Sequence, residues 1–512
     1  MPSLPPRRPL FTPQERIIFL ALAQIARRNP YLPDRIEHEH QALGPFFVFP
    51  GPIMTPGPDP RVSHHNIRAL TILVQRILPA IRDRYKAGAE VSDADRATYI
   101  AVCLFFLYDT VDTQLQAMIT AGSLAAPFYD EHEARYTDYL GFLTPAADIP
   151  DVAHVFAIFY QIRRAYYYLH IKVCGRSLAM GRLRARIWAA IFGADLSRYA
   201  LSLWTRMPKL STLIQGPSGS GKELVAESIG RSGYVPFDAG TQTFEAHGDY
   251  YTGVNLLGFS TGLLESELFG HRQGAFTGAI RNKIGVFESL PRFGALLLDE
   301  VAEIDPRMQV QLLRVLQERV FRRVGDEGPL CELRGRLLTA THRDLGACLA
   351  SGVLREDFFR RICMHKIVTP SLRERFDESP GEIRDLVAFL LVDSLDPEGD
   401  ARRDASVVDE VEAFVAKHLP HHPWTGNIRE LQQCVWDVQT IGEYLPEKMI
   451  AGRTLEQGLA DSGLHVDEII RRYAVSARER LGNDADAARL LGVNVPRLKR
   501  ILASAPPAPR RR

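Results

Sequence analysis

The chain has 512 residues, 46% of them hydrophobic and 24% charged, with a formal net charge of +1. This length suits about three domains, and the composition is that of a globular protein that can bury a core. The near-zero charge excludes a polycation, so any nucleic-acid surface has to be local. The six cysteines form no CxxC pair, which favours a reducing cytoplasm over a zinc site or a disulfide framework. No apolar run reaches the ~18 residues of a membrane span.

The first 205 residues predict a helical domain with a sensory or regulatory role. Arg7-Arg8 before the apolar run Ile17–Ala26 resembles a twin-arginine export signal, but Glu15 and Arg16 directly before that run favour an amphipathic helix. Apolar residues recur at three- and four-residue spacing in Glu15–Arg27, Ile67–Arg84, Asp95–Leu115, Val152–Val173 and Arg182–Trp204.

One of these helices is rich in aromatic residues. They are Phe156, Phe159, Tyr160, Tyr166, Tyr167 and Tyr168. Such a helix either lines a ligand pocket or forms a bundle core or dimer seam, and helical spacing alone favours the core.

A phosphate loop follows a short apolar strand, Thr212–Gln215, and precedes a helix through Glu223–Arg231. Strand, glycine-rich loop and helix are the context that a P-loop requires. Its backbone N–H groups and its lysine then surround nucleotide phosphates. The residues of this loop are Gly216, Pro217, Ser218, Gly219, Ser220, Gly221, Lys222 and Glu223.

Acidic residues end a second apolar strand, Gly294–Leu298. Asp299 is expected to hold Mg²⁺ and Glu300 to polarise the attacking water. A helix is predicted over Met308–Phe321. A third strand ends at Thr341-His342, a polar pair placed to sense the γ-phosphate.

Basic residues farther along fit two interpretations. Arg355 and Arg361 lie on one predicted helix, either as fingers that reach a neighbouring subunit's nucleotide or as a solvated face. Residues 380–439 predict a helical lid from which Arg429 reaches back to the nucleotide. A cluster of His418, His421 and His422 favours a loop beside Trp424 over a metal site.

A glycine-flanked hexapeptide interrupts the nucleotide motifs. It consists of Gly274, Ala275, Phe276, Thr277, Gly278 and Ala279. One aromatic ring and one hydroxyl between flexible glycines are typical of a mobile tip that touches a partner.

The C-terminal end is basic. Residues 465–512 carry eleven Lys/Arg against five Asp/Glu, and Asp484–Leu491, Gly492 and a helix opened by Pro496 have helix–turn–helix spacing. Arg497, Lys499 and Arg500 on the second helix suit phosphates and base edges of double-stranded DNA. Residues 503–512 predict a disordered basic tail that attracts phosphates.

These motifs together resemble the sigma-54-dependent transcription activators, the bacterial enhancer-binding proteins of the AAA+ class. The resemblance rests on GPSGSGKE, ESELFGHRQGAFTGA, GALLLDE, QLLRVLQERVFRRVGD, LREDFFRRI, TPSLRER and WTGNIREL, and on a C-terminal DADAARLLGV similar to a Fis-type helix–turn–helix. Thr425 stands where the family usually has proline, and Val495-Pro496 where it often has Ser-Arg. The N-terminal residues match none of the common receiver, GAF or PAS sensors.

The resemblance implies a role for each motif. Residues 216–222 are Walker A, Asp299-Glu300 Walker B, Thr341 sensor I and Arg429 sensor II. Arg355 and Arg361 become paired trans fingers, and Glu223 after the lysine is usual in the family. Asn255, ten residues before Glu265, takes the place of an asparagine that restrains the catalytic glutamate, although Asp238–Gly253 reads as an insertion.

The predicted fold is therefore multidomain. It has a helical domain over 1–205, an α/β P-loop AAA+ core over 206–375, a helical lid over 376–450, an all-α DNA-binding domain over 465–502, and the tail. The implied protein uses ATP and Mg²⁺ in a ring, a hexamer built from dimers, to remodel sigma-54 RNA polymerase at promoters with an upstream, enhancer-like site. Two alternatives stay open: an AAA+ remodeller of another protein, and a DNA-binding repressor with a vestigial ATPase.

Overall fold

The structure, a computed structural model, describes residues 8–50, 65–143, 147–245, 250–391, 401–444, 474, 478, 482–490 and 493–503. The chain divides into two compact units, Met1–Trp436 and Asp437–Arg512. Among the helices in the described ranges, none combines the length and apolar character needed to cross a membrane.

The described residues up to 200 are mostly helical, as predicted. The helices are α1 Pro13–Arg27, α2 Asp34–Leu43, α3 His65–Lys86, α4 Asp93–Ala121, α5 Tyr129–Leu140, α6 Val152–Lys172, α7 Leu178–Phe192 and the single turn α8 Leu196–Arg198. Side-chain caps fix where several of them begin, because the first N–H groups of a helix lack intrahelical acceptors. Thr12 and Glu15 form a capping box on α1, and Ser177 caps α7.

The helix predicted over Arg182–Trp204 is shorter than expected. It ends at Phe192 because Gly193 adopts φ 76°, a left-handed value that breaks the helix. A π-helical turn, Tyr199–Leu203, follows. The prediction of helix over Met308–Phe321 was also too long, because Arg319 is left-handed at φ 59° and Val320–Phe321 forms a strand.

A five-stranded parallel sheet forms the centre of the first unit. Its strands are β1 Thr212–Gln215, β4 Tyr251–Asn255, β7 Ala295–Asp299, β10 Arg336–Thr341 and β11 His365–Val368. Their order across the sheet is β11-β1-β10-β7-β4, with every neighbouring pair parallel. Because β10 lies between β1 and β7, the loops that leave these three strands meet at one edge. This is the edge where parallel sheets bind ligands.

The remaining elements of the core lie around this sheet. The helices are α9 Lys222–Arg231, α10 Thr261–Phe269, α11 Val286–Ser289, α12 Pro306–Glu318, α13 Leu345–Ala350, α14 Glu356–Ile362 and α15 Leu372–Glu378. The two-residue strands, paired antiparallel, are β2 Phe237–Asp238 with β3 Thr243–Phe244, β5 Gly270–His271 with β6 Lys283–Ile284, and β8 Val320–Phe321 with β9 Cys331–Glu332. The lid helices are α16 Glu382–Leu390, α17 Ala401–His418 and α18 Asn427–Ile441.

The two faces of the sheet belong to different hydrophobic cores. Successive strand residues point to opposite faces, so Leu296 and Leu337 join a core with α10, α12 and α14. Leu297 and Leu338 join the other core, which contains α9 and the N-terminal helices. The N-terminal residues therefore supply part of the covering of one sheet face. That 1–205 forms a domain of its own stays a prediction.

The aromatic helix α6 contributes to this shared core. Phe156, Phe159 and Tyr160 are buried, and the Tyr160 ring stacks on Phe244 with centroids 3.9 Å apart. Phe244 belongs to the β2–β3 hairpin and lies inside Asp238–Gly253, the segment predicted to be an insertion. The N–H of Phe244 also donates to Leu124 O at 2.9 Å, and that of Ala126 to Gln242 O at 2.9 Å. The inserted hairpin thus binds the helical region through both rings and backbone.

The second unit is small. Besides the last residues of α18, its described elements include the helices α19 Asp484–Leu490 and α20 Val495–Ala503. Ala488 and Leu498 are buried together with Ala474. Asn494 accepts from the N–H of Arg497 at 2.9 Å, so α20 begins one residue before Pro496, the predicted first position. Gly492, most of 465–481 and the tail from 504 lie outside the described residues.

Candidate active site

The phosphate loop leaves β1 and enters α9, as predicted. The N–H of Gly216 donates to Thr341 O at 3.2 Å, which fastens the loop to the end of β10. A Cβ on Gly216 would lie 1.9 Å from Thr369 Oγ1, so this position needs glycine. Ser220 Oγ lies 2.6 Å from the same Thr369 hydroxyl. Thr369 was not singled out from the sequence, although it opens the TPSLRER motif.

The Lys222 side chain folds back onto the phosphate loop. Its Nζ donates to Gly216 O at 3.1 Å and to Pro217 O at 3.2 Å. Burial lowers the pKa of Lys222, against the opposing effect of the Glu300 carboxylate. A buried ammonium whose bonds are to uncharged carbonyls is better satisfied by an anionic phosphate oxygen, so the loop fits a nucleotide.

The start of lid helix α18 contacts the phosphate loop directly. Asn427 Nδ2 donates to Ser218 O at 2.9 Å, and the N–H of Ile428 donates to Gly219 O at 3.0 Å. Gly219 has φ 73°, and a Cβ there would lie 2.3 Å from Gly426 O. Arg429 Nη1 donates to Ser218 Oγ at 3.2 Å. Arg429 is thus beside the loop, where it was predicted.

Asn427 is a contact that sequence reasoning missed. It is left-handed at φ 55°, a conformation that asparagine tolerates better than most residues. Its Oδ1 also accepts from the N–H of Leu372 at 2.8 Å. One side chain therefore joins the phosphate loop, the lid and the first residue of α15. The Asn after glycine in WTGNIREL was the signal that could have found it.

The acidic pair lies at the end of β7. Burial raises the pKa of the Asp299 carboxyl, and the adjacent Glu300 carboxylate raises it further. A half-buried carboxylate whose charge is disfavoured by burial and by a neighbouring carboxylate suits a hard divalent cation, for which oxygen ligands are preferred. Asp299 therefore fits the predicted Mg²⁺ position.

Glu300 contacts the end of β10. Its Oε2 accepts from His342 Nδ1 at 2.7 Å and from the His342 N–H at 3.3 Å. Thr341 is buried, and its Oγ1 accepts from the N–H of Arg343 at 3.1 Å. Asn255 pairs in register with Asp299, but its Oδ1 accepts from the N–H of Leu257 at 3.0 Å. The contact to Glu300 comes from His342, whose role here the sequence did not indicate.

The two predicted arginine fingers, Arg355 and Arg361, contact residues of their own chain. Arg355 Nη2 pairs with Asp357 Oδ2 at 2.8 Å. Arg361 Nη2 donates to Leu316 O at 2.6 Å. The structure brings neither arginine to the phosphate loop of the same chain.

One member of the histidine cluster lies beside Trp424, as predicted for a loop there. His422 Nε2 lies 2.6 Å from Glu430 Oε1, and the His422 ring is edge-on to Trp424.

The hexapeptide forms an exposed tip beyond β5. Gly274 N–H donates to Ala279 O at 2.9 Å, and Ala279 N–H to Phe276 O at 3.0 Å. Phe276 is 42% exposed, with its ring edge against His271 at 5.0 Å. His271 Nδ1 in turn lies 2.7 Å from Ser266 Oγ on α10. The tip is compact, and His271 lies between the Phe276 ring and α10.

Basic side chains of the second unit are exposed on α20. Arg497, Lys499 and Arg500 face solvent, while Leu498 between them is buried. Lys499 Nζ lies 3.9 Å from Asp484 Oδ2. The three predicted DNA-binding residues therefore share the exposed side of one helix.

Comparison with known proteins agrees with this geometry. A profile of the family described as the Sigma-54 interaction domain matches residues 200–368. The DNA-binding transcriptional regulator NtrC of Azospirillum brasilense is 30% identical over 366 residues, covering 63% of this chain and 67% of NtrC. The chain belongs to the sigma-54-dependent transcription regulators. The sheet order and the P-loop accordingly belong to the AAA+ ATPase class of this family.

Other regulators of this family match a shorter region. The transcriptional regulatory protein ZraR of Escherichia coli K12 is 36% identical over 290 residues, covering 55% of this chain and 60% of ZraR. The Nif-specific regulatory protein of Herbaspirillum seropedicae is 40% identical over 230 residues, covering 44% of this chain and 38% of that protein. The crystal structure of NtrX from Brucella abortus, 24% identical, aligns over 67% of this chain and 71% of NtrX with a TM-score of 0.40. The match thus spans about 60% of the length of ZraR.

Proposed function

We propose that the protein is an ATP-driven activator of transcription by sigma-54 RNA polymerase in the bacterial cytoplasm. The observation that carries this proposal is one α/β body that holds both a complete phosphate loop and an exposed Gly-Ala-Phe-Thr-Gly-Ala tip. The first supplies energy from a nucleotide. The second offers a ring and a hydroxyl to a partner. Membership of the sigma-54 regulators supports sigma-54 as that partner.

ATP hydrolysis uses the edge where β1, β7 and β10 end. Residues 216–223 bind the phosphates, and Lys222 moves its ammonium from loop carbonyls to phosphate oxygens. Asp299 would hold Mg²⁺, which when bound would supply charge neutralisation for the transferring phosphoryl group. Glu300 accepts a hydrogen bond from the attacking water, and Thr341 and Arg429 respond to the γ-phosphate from β10 and the lid.

The oligomer is a ring, a hexamer assembled from dimers. Arg355 and Arg361 lie away from their own phosphate loop, as arginine fingers acting in a neighbouring subunit would. Such fingers are worth about 10³–10⁵ in rate in phosphoryl transfer generally. In the ring, the two arginines of one subunit complete the nucleotide site of its neighbour.

The second unit binds double-stranded DNA upstream of the promoter. The exposed Arg497, Lys499 and Arg500 on α20 supply the phosphate and base-edge contacts, within a helix–turn–helix over 465–502. The Pro/Arg tail beyond it adds nonspecific attraction.

Replacing the threonine of the tip is the experiment that tests the sigma-54 proposal. In a purified system with sigma-54 polymerase, Thr277→Ala is expected to lower promoter opening at least ~10-fold while ATP turnover stays within about 3-fold, because the lost group contacts only the partner. Thr241→Ala, in the exposed turn of the β2–β3 hairpin, is the matched control. Full promoter opening by Thr277→Ala would show that this threonine is not the group that acts on sigma-54. Wild-type protein that turns over ATP without opening the promoter would favour an AAA+ remodeller of another protein.

The N-terminal region also supports a regulatory role, because it contacts α15 and the first lid helix, α16. Glu382, fully buried, pairs with the buried Arg375, and its Oε2 accepts from the N–H of Ser177 at 2.6 Å. Arg176 pairs with Asp385, and Arg182 with Glu378 at 2.6 Å. These contacts join the segment before α7 and its first turn to α15 and α16. We infer that they restrain the lid.

Weakening these contacts between the N-terminal region and α15 and α16 is expected to raise basal ATP turnover. The full-length double variant Glu378→Gln/Asp385→Asn should turn over ATP about 2–10-fold faster, since partly exposed ion pairs contribute roughly 0.2–1 kcal/mol each. Asp377→Asn is the matched control, because Asp377 pairs with Arg373 inside α15 and has no ion pair to α7. Equal turnover in both variants would show that the contact does not restrain the lid.

A further inference from the structure

Glu300 has an unusual backbone conformation. Its φ of 59° and ψ of 42° are left-handed, which is uncommon for a residue other than glycine and costs energy that its surroundings have to supply. The N–H of Glu300 donates to Asp299 Oδ1 at 2.9 Å. The backbone at the end of β7 is therefore fixed, and it aims the Glu300 side chain toward β10.

Two donors of a single residue meet the carboxylate there. His342 Nδ1 and the His342 backbone N–H lie 2.7 Å and 3.3 Å from the same oxygen, Oε2. A carboxylate oxygen accepts hydrogen bonds, so His342 donates through its ring Nδ1 as well as through its backbone N–H. Hydrogen bonds to a charged acceptor are the stronger class. Oε1 makes no hydrogen bond to any residue in the described part of the chain and stays available to another donor.

The asparagine that the family resemblance assigned to this task is used differently. Asn255 Oδ1 caps the turn at Leu257. Asn255 lies in β4, on the far side of β7 from β10. The side-chain contact of Glu300 therefore comes from His342, at the end of β10, which is the strand between β1 and β7.

We propose that His342 is the positioning residue that orients the Glu300 carboxylate for attack by water. This rests on the proposed ATP hydrolysis and deepens it. With Oε2 held by His342, Oε1 accepts the hydrogen bond of the attacking water. Because β10 also carries Thr341 beside the phosphate loop, one strand end sets both the phosphate contact and the carboxylate.

The geometry distinguishes between two conservative replacements. Nδ1 is bonded to Cγ of the histidine, and the side-chain amide nitrogen of asparagine is bonded to its Cγ as well. His342→Asn therefore keeps a donor at the same distance from the backbone. His342→Gln places its donor one bond farther out, like Nε2, which does not contact Glu300 in this structure.

The test measures ATP turnover and ADP affinity of full-length wild type and of the His342 variants to Ala, Asn and Gln. Ala and Gln are expected to lower kcat about 10-fold or more, as misplaced catalytic groups do. KM for ATP and Kd for ADP should change less than about 2-fold, and Asn should stay within about 3-fold of wild-type kcat. Unchanged or raised kcat in His342→Ala, or equal losses in Asn and Gln, would overturn the proposal.

Crystal structures of the nucleotide-free Ala and Asn variants supply a readout that does not require turnover. Displacement of the Glu300 carboxylate in His342→Ala and its retention in His342→Asn support the proposal, and an unmoved carboxylate in His342→Ala overturns it. A wild-type protein without ATP turnover would overturn the proposed function instead. The position of the carboxylate would still decide the role of His342.

Discussion

Glu300→Gln is expected to abolish most ATP turnover, by about 100-fold or more, because a positioned base contributes ~10²–10⁴ in rate. The amide keeps an oxygen that accepts from His342 and keeps the shape of the side chain. It loses the charge that polarises water. ATP binding should therefore persist, since the groups that hold the phosphates, Lys222 foremost, are unchanged. Turnover assays beside ATP-binding titrations measure the two effects separately.

Glu303→Gln is the control for this substitution. Glu303 lies three residues farther along and pairs with Arg343, so its replacement removes a carboxylate of the same segment while leaving the contact between Glu300 and His342 in place. It should leave turnover near wild type. Full turnover by Glu300→Gln would contradict the assigned role, and absence of turnover in the wild type would favour the repressor with a vestigial ATPase.

Removing residues 1–205 is expected to unfold the ATPase core rather than to release it. The sheet face with Leu297 and Leu338 shares its core with Trp188, Phe192 and Tyr199. Each large apolar side chain contributes roughly 1.5–3 kcal/mol by burial, against a total stability of about 5–15 kcal/mol for a typical domain. A chain starting at residue 206 should aggregate or lose its cooperative melting transition.

A second truncation provides the comparison. Ending the chain after residue 444 removes most of the separate C-terminal unit and is expected to leave the melting temperature of the first unit nearly unchanged. A soluble 206–512 fragment that melts near the full-length temperature would contradict the shared core. If the core is shared, loss of activity on truncation says nothing about regulation, and the Glu378/Asp385 variant is the sharper probe.

Sequence patterns located the nucleotide elements well because those elements are local. The strand before Gly216, the strand before Asp299 and the turn at Trp424 each carry their signal within a few residues. Contacts between distant segments were not predictable. His342 meets Glu300 only because β10 lies beside β7, and the sheet order is not written in either segment.

Helix ends were the less accurate part of the prediction. The apolar spacing continues through Gly193 and through Arg319, so periodicity extended both helices, whereas left-handed backbone at these residues ended them. The aromatic residues of α6 were ambiguous for a different reason. Their partner, Phe244, lies in an insertion that the family pattern does not describe.

The β2–β3 hairpin has a consequence for how such regulators are exchanged or rebuilt. Since Phe244 stacks on Tyr160 and its amide completes a backbone pairing with Leu124, the ATPase itself carries half of the joint. A chimaera that joins another input module to residue 206 would remove the residues that Phe244 contacts, Tyr160 and Leu124. The exchangeable part of this protein is therefore discontinuous: the N-terminal helices and the hairpin have to be transplanted together.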